Sequence, residues 1–252
     1  MITKSKLDEL AKKYETGSFI NNDPCQFMHK GAGVNDKELY AFIASLFAYG
    51  NRKLFINFLN DLFNKMDNSP YEFIKNPDYK NLKGLYYRFS KDTDIIELIR
   101  ILSKLYNESN GLKELFEYSY NKDKTIYTTF VGVTDYFYSN VGKEFSQGFY
   151  HLLPDPKKGG AMKRLNMFLR WMVRKPPVDL GIWDFIPQSE LLIPLDVHVA
   201  RLSRQMGLLT RKSNDFKAVL ELTENLKKFC PDDPIKYDFA IFGLGVDSWN
   251  FM

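Results

Sequence analysis

Apolar side chains recur every three to four residues along most of this chain, and that spacing commits it to helices. Leu39, Phe42, Ile43, Leu46 and Phe47 share one helical face, behind Asn35-Asp-Lys-Glu38, which has the form of a capping box. Ile95, Leu98, Ile99 and Leu102 repeat the pattern, which stops near the helix-ending pair Asn110-Gly111. Phe216, Val219, Leu220, Thr223 and Leu226 form another face, ending at Cys230-Pro231. Pro234 is expected to open a last helix through Phe242, with Gly243 and Gly245 ending it. Residues 125–138 also read as helix, although Val131-Gly-Val133 would suit a strand. The expected fold class is all-α.

A chain of 252 residues can bury a sizeable core, as one domain or as two lobes around a cleft. Its 21 Phe and 15 Tyr serve first to fill space between helices. No apolar run is long enough to span a bilayer and no basic-then-apolar leader opens the chain, so a soluble, intracellular protein is expected. Cys25 and Cys230 are too few for a four-cysteine iron–sulfur cluster or a zinc pattern. His29, His151 and His198 have no ligand-like spacing, so a histidine-based metal site is not expected.

Charge is unevenly placed. Residues 157–204 contain nine Lys or Arg and four acids, a local balance of +5 in a chain whose total is +4. Such a segment is the footprint of a phosphate-backbone binder, or else a solvated helix face. On the helix expected over residues 161–174, Lys163, Met167, Arg170 and Arg174 share one side, while Leu165, Phe168, Leu169 and Met172 lie mostly opposite. Lys163 stands at the helix start beside Gly159-Gly160, where free backbone N–H groups can bind phosphate. A lone lysine in a first turn is otherwise simply solvated.

Downstream, Pro194-Leu-Asp-Val-His-Val-Ala-Arg201 places Asp196 at a helix start, where a carboxylate caps the first turn and stays rigid. A lysine sharing a cleft with a fixed carboxylate is the equipment of an amine nucleophile. His198 reads as a hydrogen-bonding or phosphate-contacting residue. Between the two helices, Lys175-Pro-Pro-Val-Asp-Leu-Gly-Ile-Trp-Asp-Phe-Ile-Pro187 is too rich in Pro for a regular helix but carries aromatics that seek burial. It is expected to line whatever lies between the helices.

Leu152-Leu-Pro-Asp-Pro-Lys-Lys-Gly-Gly-Ala-Met-Lys163, the basic helix after it, and the Asp196 motif together resemble the helix-hairpin-helix DNA glycosylase superfamily. In that family a Gly-rich hairpin beginning Leu-Pro holds a DNA phosphate, a lysine attacks the sugar, and an aspartate in a Val-Asp-x-His-Val-x-Arg-like motif assists. Here Asp155 and Pro156 follow Leu153-Pro154 and the glycines come later, so the hairpin is remodelled. Lysine and aspartate lie 33 positions apart, longer than in the common bacterial members, and the separation looks closer to that of the archaeal 8-oxoguanine glycosylase branch, which also inserts a loop there. The strong part of the resemblance covers residues 152–245. The whole chain also looks like a bacterial family of conserved hypothetical proteins, with Lys163-Arg-Leu-Asn-Met-Phe-Leu-Arg-Trp171 and Tyr237-Asp-Phe-Ala-Ile-Phe-Gly243 as signatures.

The resemblance implies one two-lobed glycosylase-like domain, with a helical N-terminal part over about 1–145 and a catalytic part over about 146–252. It implies a monomeric, nucleoid-associated cytoplasmic enzyme that turns a damaged base, an oxidised purine such as 8-oxoguanine above all, out of double-stranded DNA. Lys163 and Asp196 would be catalytic with no metal or organic cofactor, and Lys157, Lys158, Gly159, Gly160, Arg170, Arg174, His198 and Arg201 would hold DNA. Trp171, Trp183 and Phe185 would line the base pocket, if they are not simply core. The alternatives are a DNA- or RNA-binding helical module without turnover, and a helical protein-interaction scaffold.

Overall fold

The computed structural model describes residues 2–20, 23–142 and 146–249, and the described residues form thirteen α-helices and one two-stranded sheet. The chain is all-α, as its periodicity indicates. It divides into two compact units, one formed by Met1–Asp23 with Gly159–Met252 and the other by Pro24–Lys158. The division therefore falls at residue 158 rather than near 145, and the first 23 residues join the C-terminal part.

The first unit contains α1 (Lys4–Tyr14), α2 (Gly17–Ile20), α10 (Lys163–Val173), α11 (Val197–Gln205), α12 (Phe216–Lys227) and α13 (Asp238–Trp249). Helix α1 reaches α13 across the length of the sequence. Lys236 Nζ and the Tyr237 hydroxyl both donate to Asp8, at 2.7 and 3.0 Å. Gly243 faces the Tyr14 ring so closely that a Cβ would fall 2.3 Å from Cδ1. Gly245 meets His198 Cβ and Leu202 Cδ1, each 3.1 Å from where its Cβ would be. These glycines therefore lie inside α13 and do not end it. They are small because α1 and α11 press against that helix.

The second unit holds α3 (Val34–Phe47), α4 (Arg52–Asn64), α5 (Pro70–Lys75), α6 (Asp92–Glu108), α7 (Leu112–Tyr120), α8 (Ile126–Asn140) and α9 (Gln147–Leu152), with a small hairpin of β1 (Tyr86–Tyr87) and β2 (Ser90–Lys91). Its core is aromatic: Phe42 stacks on Phe137 at 5.6 Å, and Phe63 packs against Phe27 and Tyr40 at 5.4 and 4.4 Å. The capping box expected over 35–38 does not form, because α3 begins two residues earlier, with Gly33 in place of Asn35 at the cap position. Asp36 instead accepts from the Tyr71 N–H at 2.9 Å, and the buried Glu38 accepts from the Tyr106 hydroxyl at 3.0 Å. The Val-Gly-Val segment is helical, within α8. A Cβ on Gly132 would lie 2.5 Å from Ser119 Oγ, so the glycine allows α7 and α8 to approach closely.

Candidate active site in the first unit

Residue Asp196 caps α11 from an extended backbone, with Oδ1 accepting from the N–H groups of His198 at 2.9 Å and Val199 at 2.8 Å. The capping predicted from its position is thus realised, and it fixes the carboxylate. The other oxygen, Oδ2, lies 3.8 Å from Lys163 Nζ. Lys163 opens α10 after Met162, which takes a left-handed φ of 50°. The lysine side chain is 33% exposed and the aspartate 12%, so a sheltered carboxylate stands against an amine that solvent can reach. Just before α10, Gly160 forms an isolated antiparallel bridge with Asp215, and Gly159 accepts from the Phe216 N–H at 2.9 Å. Both glycines are exposed and nothing lies within 4 Å of where a Cβ would stand, so their outer face is open backbone. Asp215 is itself fixed: Arg211 donates to it and holds its carboxyl down at about 2, and Asp215 in turn caps α12.

Further along the same side of α10, the charge has the opposite role from the one expected. Arg170 is 1% exposed and pairs with Asp179 at 3.2 Å and with Asp238. Its guanidinium also lies 3.8 Å from the centre of the Phe239 ring. Arg174 is buried too, bonded to Glu15, Asp179 and Asp233. The expected DNA contacts of Arg170 and Arg174 are therefore withdrawn, since carboxylates from four separate segments have drawn both side chains inward. Three of the four, Glu15, Asp233 and Asp238, lie outside the 157–204 window, which is why local charge counting misjudged this face.

Four carboxylates share these two guanidiniums, and the titration directions follow from that imbalance. Burial pulls Arg170 down, but Asp179 and Asp238 outweigh it and hold the group above its ordinary value. Burial pushes Asp233 up despite Arg174, and pushes Asp238 up to about 6 despite Arg170. Glu15, Asp233 and Asp238 each meet one arginine, and Asp179 meets both. The charge of Asp196 also helps to raise Asp238, which links the buried cluster electrostatically to the Lys163–Asp196 pair. Asp238 was missed in the sequence, where it stands amid aromatics in Tyr237-Asp-Phe239 with no local partner to mark it.

The Pro-rich segment over 175–187 folds back on α10. Its Leu180 and Trp183 N–H groups donate to the Trp171 and Met172 carbonyls at 2.8 Å each, satisfying carbonyls that the helix end would leave open. Trp183 meets Phe168 edge-on at 5.2 Å. Trp171 and Trp183 are each 1% exposed, so both belong to the core and are withdrawn as pocket lining, whereas Phe185, beside Trp183, is half-buried. His198 and Arg201 are half-buried on α11, with the His198 ring edge-on to Phe242 at 6.2 Å. Lys157 and Lys158 belong to the second unit, where both are exposed and Lys157 pairs with Asp135 at 2.7 Å. What the first unit brings together is thus Lys163, Asp196 and the two open glycines. Among the described residues no helix is long and apolar enough to cross a membrane, and no group of three His, Cys, Asp or Glu is placed to hold a metal ion.

A family model described as "Protein of unknown function (DUF2400)" matches residues 23–247. No curated protein and no solved structure matches the chain.

Proposed function

From a chain that belongs to this family of unknown function, we infer a DNA glycosylase with associated abasic-site lyase activity, with Lys163 as nucleophile and Asp196 as its assistant. The observation that carries the proposal is the Lys163 Nζ to Asp196 Oδ2 approach of 3.8 Å, with the carboxylate pinned by two backbone N–H groups. A pinned carboxylate needs no reorganisation when positive charge develops next to it. In the proposed reaction the amine lone pair forms a bond to the sugar C1′ as the C1′–base bond breaks with its electrons on the base. The sugar ring opens to an imine, and loss of a C2′ proton expels the 3′ phosphate. Asp196 accepts the proton that the amine must lose, or stabilises the cationic sugar, and both roles use Oδ2.

Gly159 and Gly160, beside the start of α10, supply an open backbone where a phosphate can approach the first N–H groups of that helix. Double-stranded DNA with a damaged base is the proposed substrate. An oxidised purine such as 8-oxoguanine is the first to test, since the lysine-to-aspartate spacing resembles the archaeal branch. The experiment is borohydride trapping on duplexes that carry oxidised purines, oxidised pyrimidines or abasic sites. The parent should give a covalent protein–DNA adduct and Lys163→Gln should give none. Asp196→Asn should slow base release by two to three orders of magnitude, about the effect of removing one preorganised electrostatic group, while still capping α11. No adduct on any duplex would favour a binding module without turnover.

A further inference from the structure

The hairpin of the second unit carries a second, separate constellation. Its tip exposes two aromatic rings, Tyr86 at 65% and Phe89 at 56%, although neither is needed to fill the core. The rest of the tip is rigidly built. The Tyr87 hydroxyl donates to the Tyr49 carbonyl, and Tyr87 is buried against Phe47 and Phe58. From the other side α9 presses so close that a Cβ on Gly148 would fall 2.2 Å from the Phe89 carbonyl oxygen. An exposed phenylalanine on a stiff support, unlike one on a loose loop, loses little freedom when something stacks on it.

Around Phe89 the other groups are planar or cationic. The Tyr49 and Phe89 rings are nearly parallel, 8° apart with centroids 6.5 Å from each other, and His151 lies 4.7 Å from each. The Arg88 guanidinium carbon stands 5.6 Å from the Phe89 centroid and 6.0 Å from that of Tyr49. Two backbone features serve that guanidinium. Arg88 occupies a left-handed φ of 53°, which costs a non-glycine residue about 1 kcal/mol or more. Gly50 leaves the space it fills, since a Cβ there would come 2.5 Å from Arg88 Nη1. Arg52, Lys53, Lys83 and Lys91 add positive charge in the stretches 49–60 and 83–91, which contain no acidic residue.

The geometry points to this hairpin tip as a stacking site for the unpaired bases of single-stranded DNA. Every base offers a flat face to Phe89 or Tyr86, and its phosphates meet Arg88 and the lysines around it. A protein partner would call for an aliphatic patch or a mixed-charge rim; this tip is aromatic with Arg88 beside the rings, and the acids next to it are engaged by backbone N–H groups, Asp92 by Gly84 at 2.8 Å and the buried Asp94 by Lys91 at 2.9 Å. The site lies in residues 24–158 and does not depend on the chemistry assigned to Lys163.

The test is fluorescence anisotropy of the full chain with a labelled single-stranded deoxyoligonucleotide. It involves no turnover, so its outcome is distinct from that of the trapping experiment. Phe89→Ala should weaken binding roughly 5- to 150-fold, the range for losing one base–aromatic stack. Phe89→Leu should weaken it similarly and Phe89→Trp should retain it, because stacking needs a ring and not merely apolar area. Arg88→Gln should lower the salt slope by roughly 0.7, as for one phosphate contact on a single strand. Far-UV circular dichroism identifies any variant that fails to fold, and Arg88→Gln then tests the same site independently of the ring. The proposal is overturned if the parent does not bind the oligonucleotide or if Phe89→Leu binds as tightly as the parent. It is overturned equally if Phe89 acts only in self-association, seen as a dimer in the ultracentrifuge that Phe89→Ala dissolves.

Discussion

Replacing Arg170 by alanine should destabilise the first unit severely, although an arginine in a basic segment looks like a surface residue. The side chain is 1% exposed, pairs with Asp179 and Asp238, and covers the face of Phe239. Removing it leaves Arg174 alone among Glu15, Asp179, Asp233 and Asp238. Breaking a buried ion pair by deleting one partner costs about 3–5 kcal/mol, a large part of the ~5–15 kcal/mol that holds a domain together. Adding Asp238→Asn should return about 1 kcal/mol or more, because one of the stranded carboxylates is then neutral. Trp171 and Trp183 are buried in this unit and residues 24–158 contain no tryptophan, so urea unfolding followed by tryptophan fluorescence reads the first unit selectively. A loss below about 0.5 kcal/mol, typical of surface substitutions, would refute the buried network. A weaker salt dependence of DNA binding in the same variant would return Arg170 to the DNA surface.

Two further outcomes follow from the same unit. Asp238 rises from an ordinary 3.8 to about 6, so between those values the folded protein holds more protons than the unfolded chain, and stability falls as pH rises through that range. Unfolding measured from pH 4 to 7 should show the parent losing about 2 kcal/mol relative to Asp238→Asn by pH 6 and little beyond, and a parallel course for the two proteins would count against a protonated Asp238. Gly243→Ala should lower stability by about 1–3 kcal/mol through its clash with Tyr14, whereas Gly160→Ala, which meets open space, should stay within about 0.5 kcal/mol of the parent; equal effects in thermal melts would contradict the packing of α1 on α13.

Local periodicity made most of the fold legible, because a helix declares its buried face within a few turns. It exposed α6, α8, α10 and α12, and the Asp196 cap, which needs only its own neighbours in sequence. What escaped was set by distant partners. Gly243 reads as a helix stop until Tyr14 is brought against it, and Glu38 reads as a cap until Tyr106 claims it. Arg170 and Arg174 read as surface cations because the acids that neutralise them are distant in sequence, with Asp233 and Glu15 lying 59 and 159 residues from Arg174 and Asp238 lying 68 from Arg170. Trp183 looked like a pocket wall because its loop is irregular, yet that loop caps the end of α10. Of the candidate site, the lysine and aspartate were visible as a motif. The hairpin tip around Phe89 was not, since two-residue strands leave no periodic trace.

The most direct test of the proposed chemistry is to locate the reduced adduct on the chain. After borohydride trapping on a duplex containing 8-oxoguanine or an abasic site, nuclease and protease digestion followed by tandem mass spectrometry should find the sugar remnant on the ε-amine of Lys163. The same digest from Lys163→Gln should contain no modified peptide. A remnant on Lys157, Lys158 or the N-terminal amine, or an adduct that persists in Lys163→Gln, would contradict the assignment of Lys163 as nucleophile.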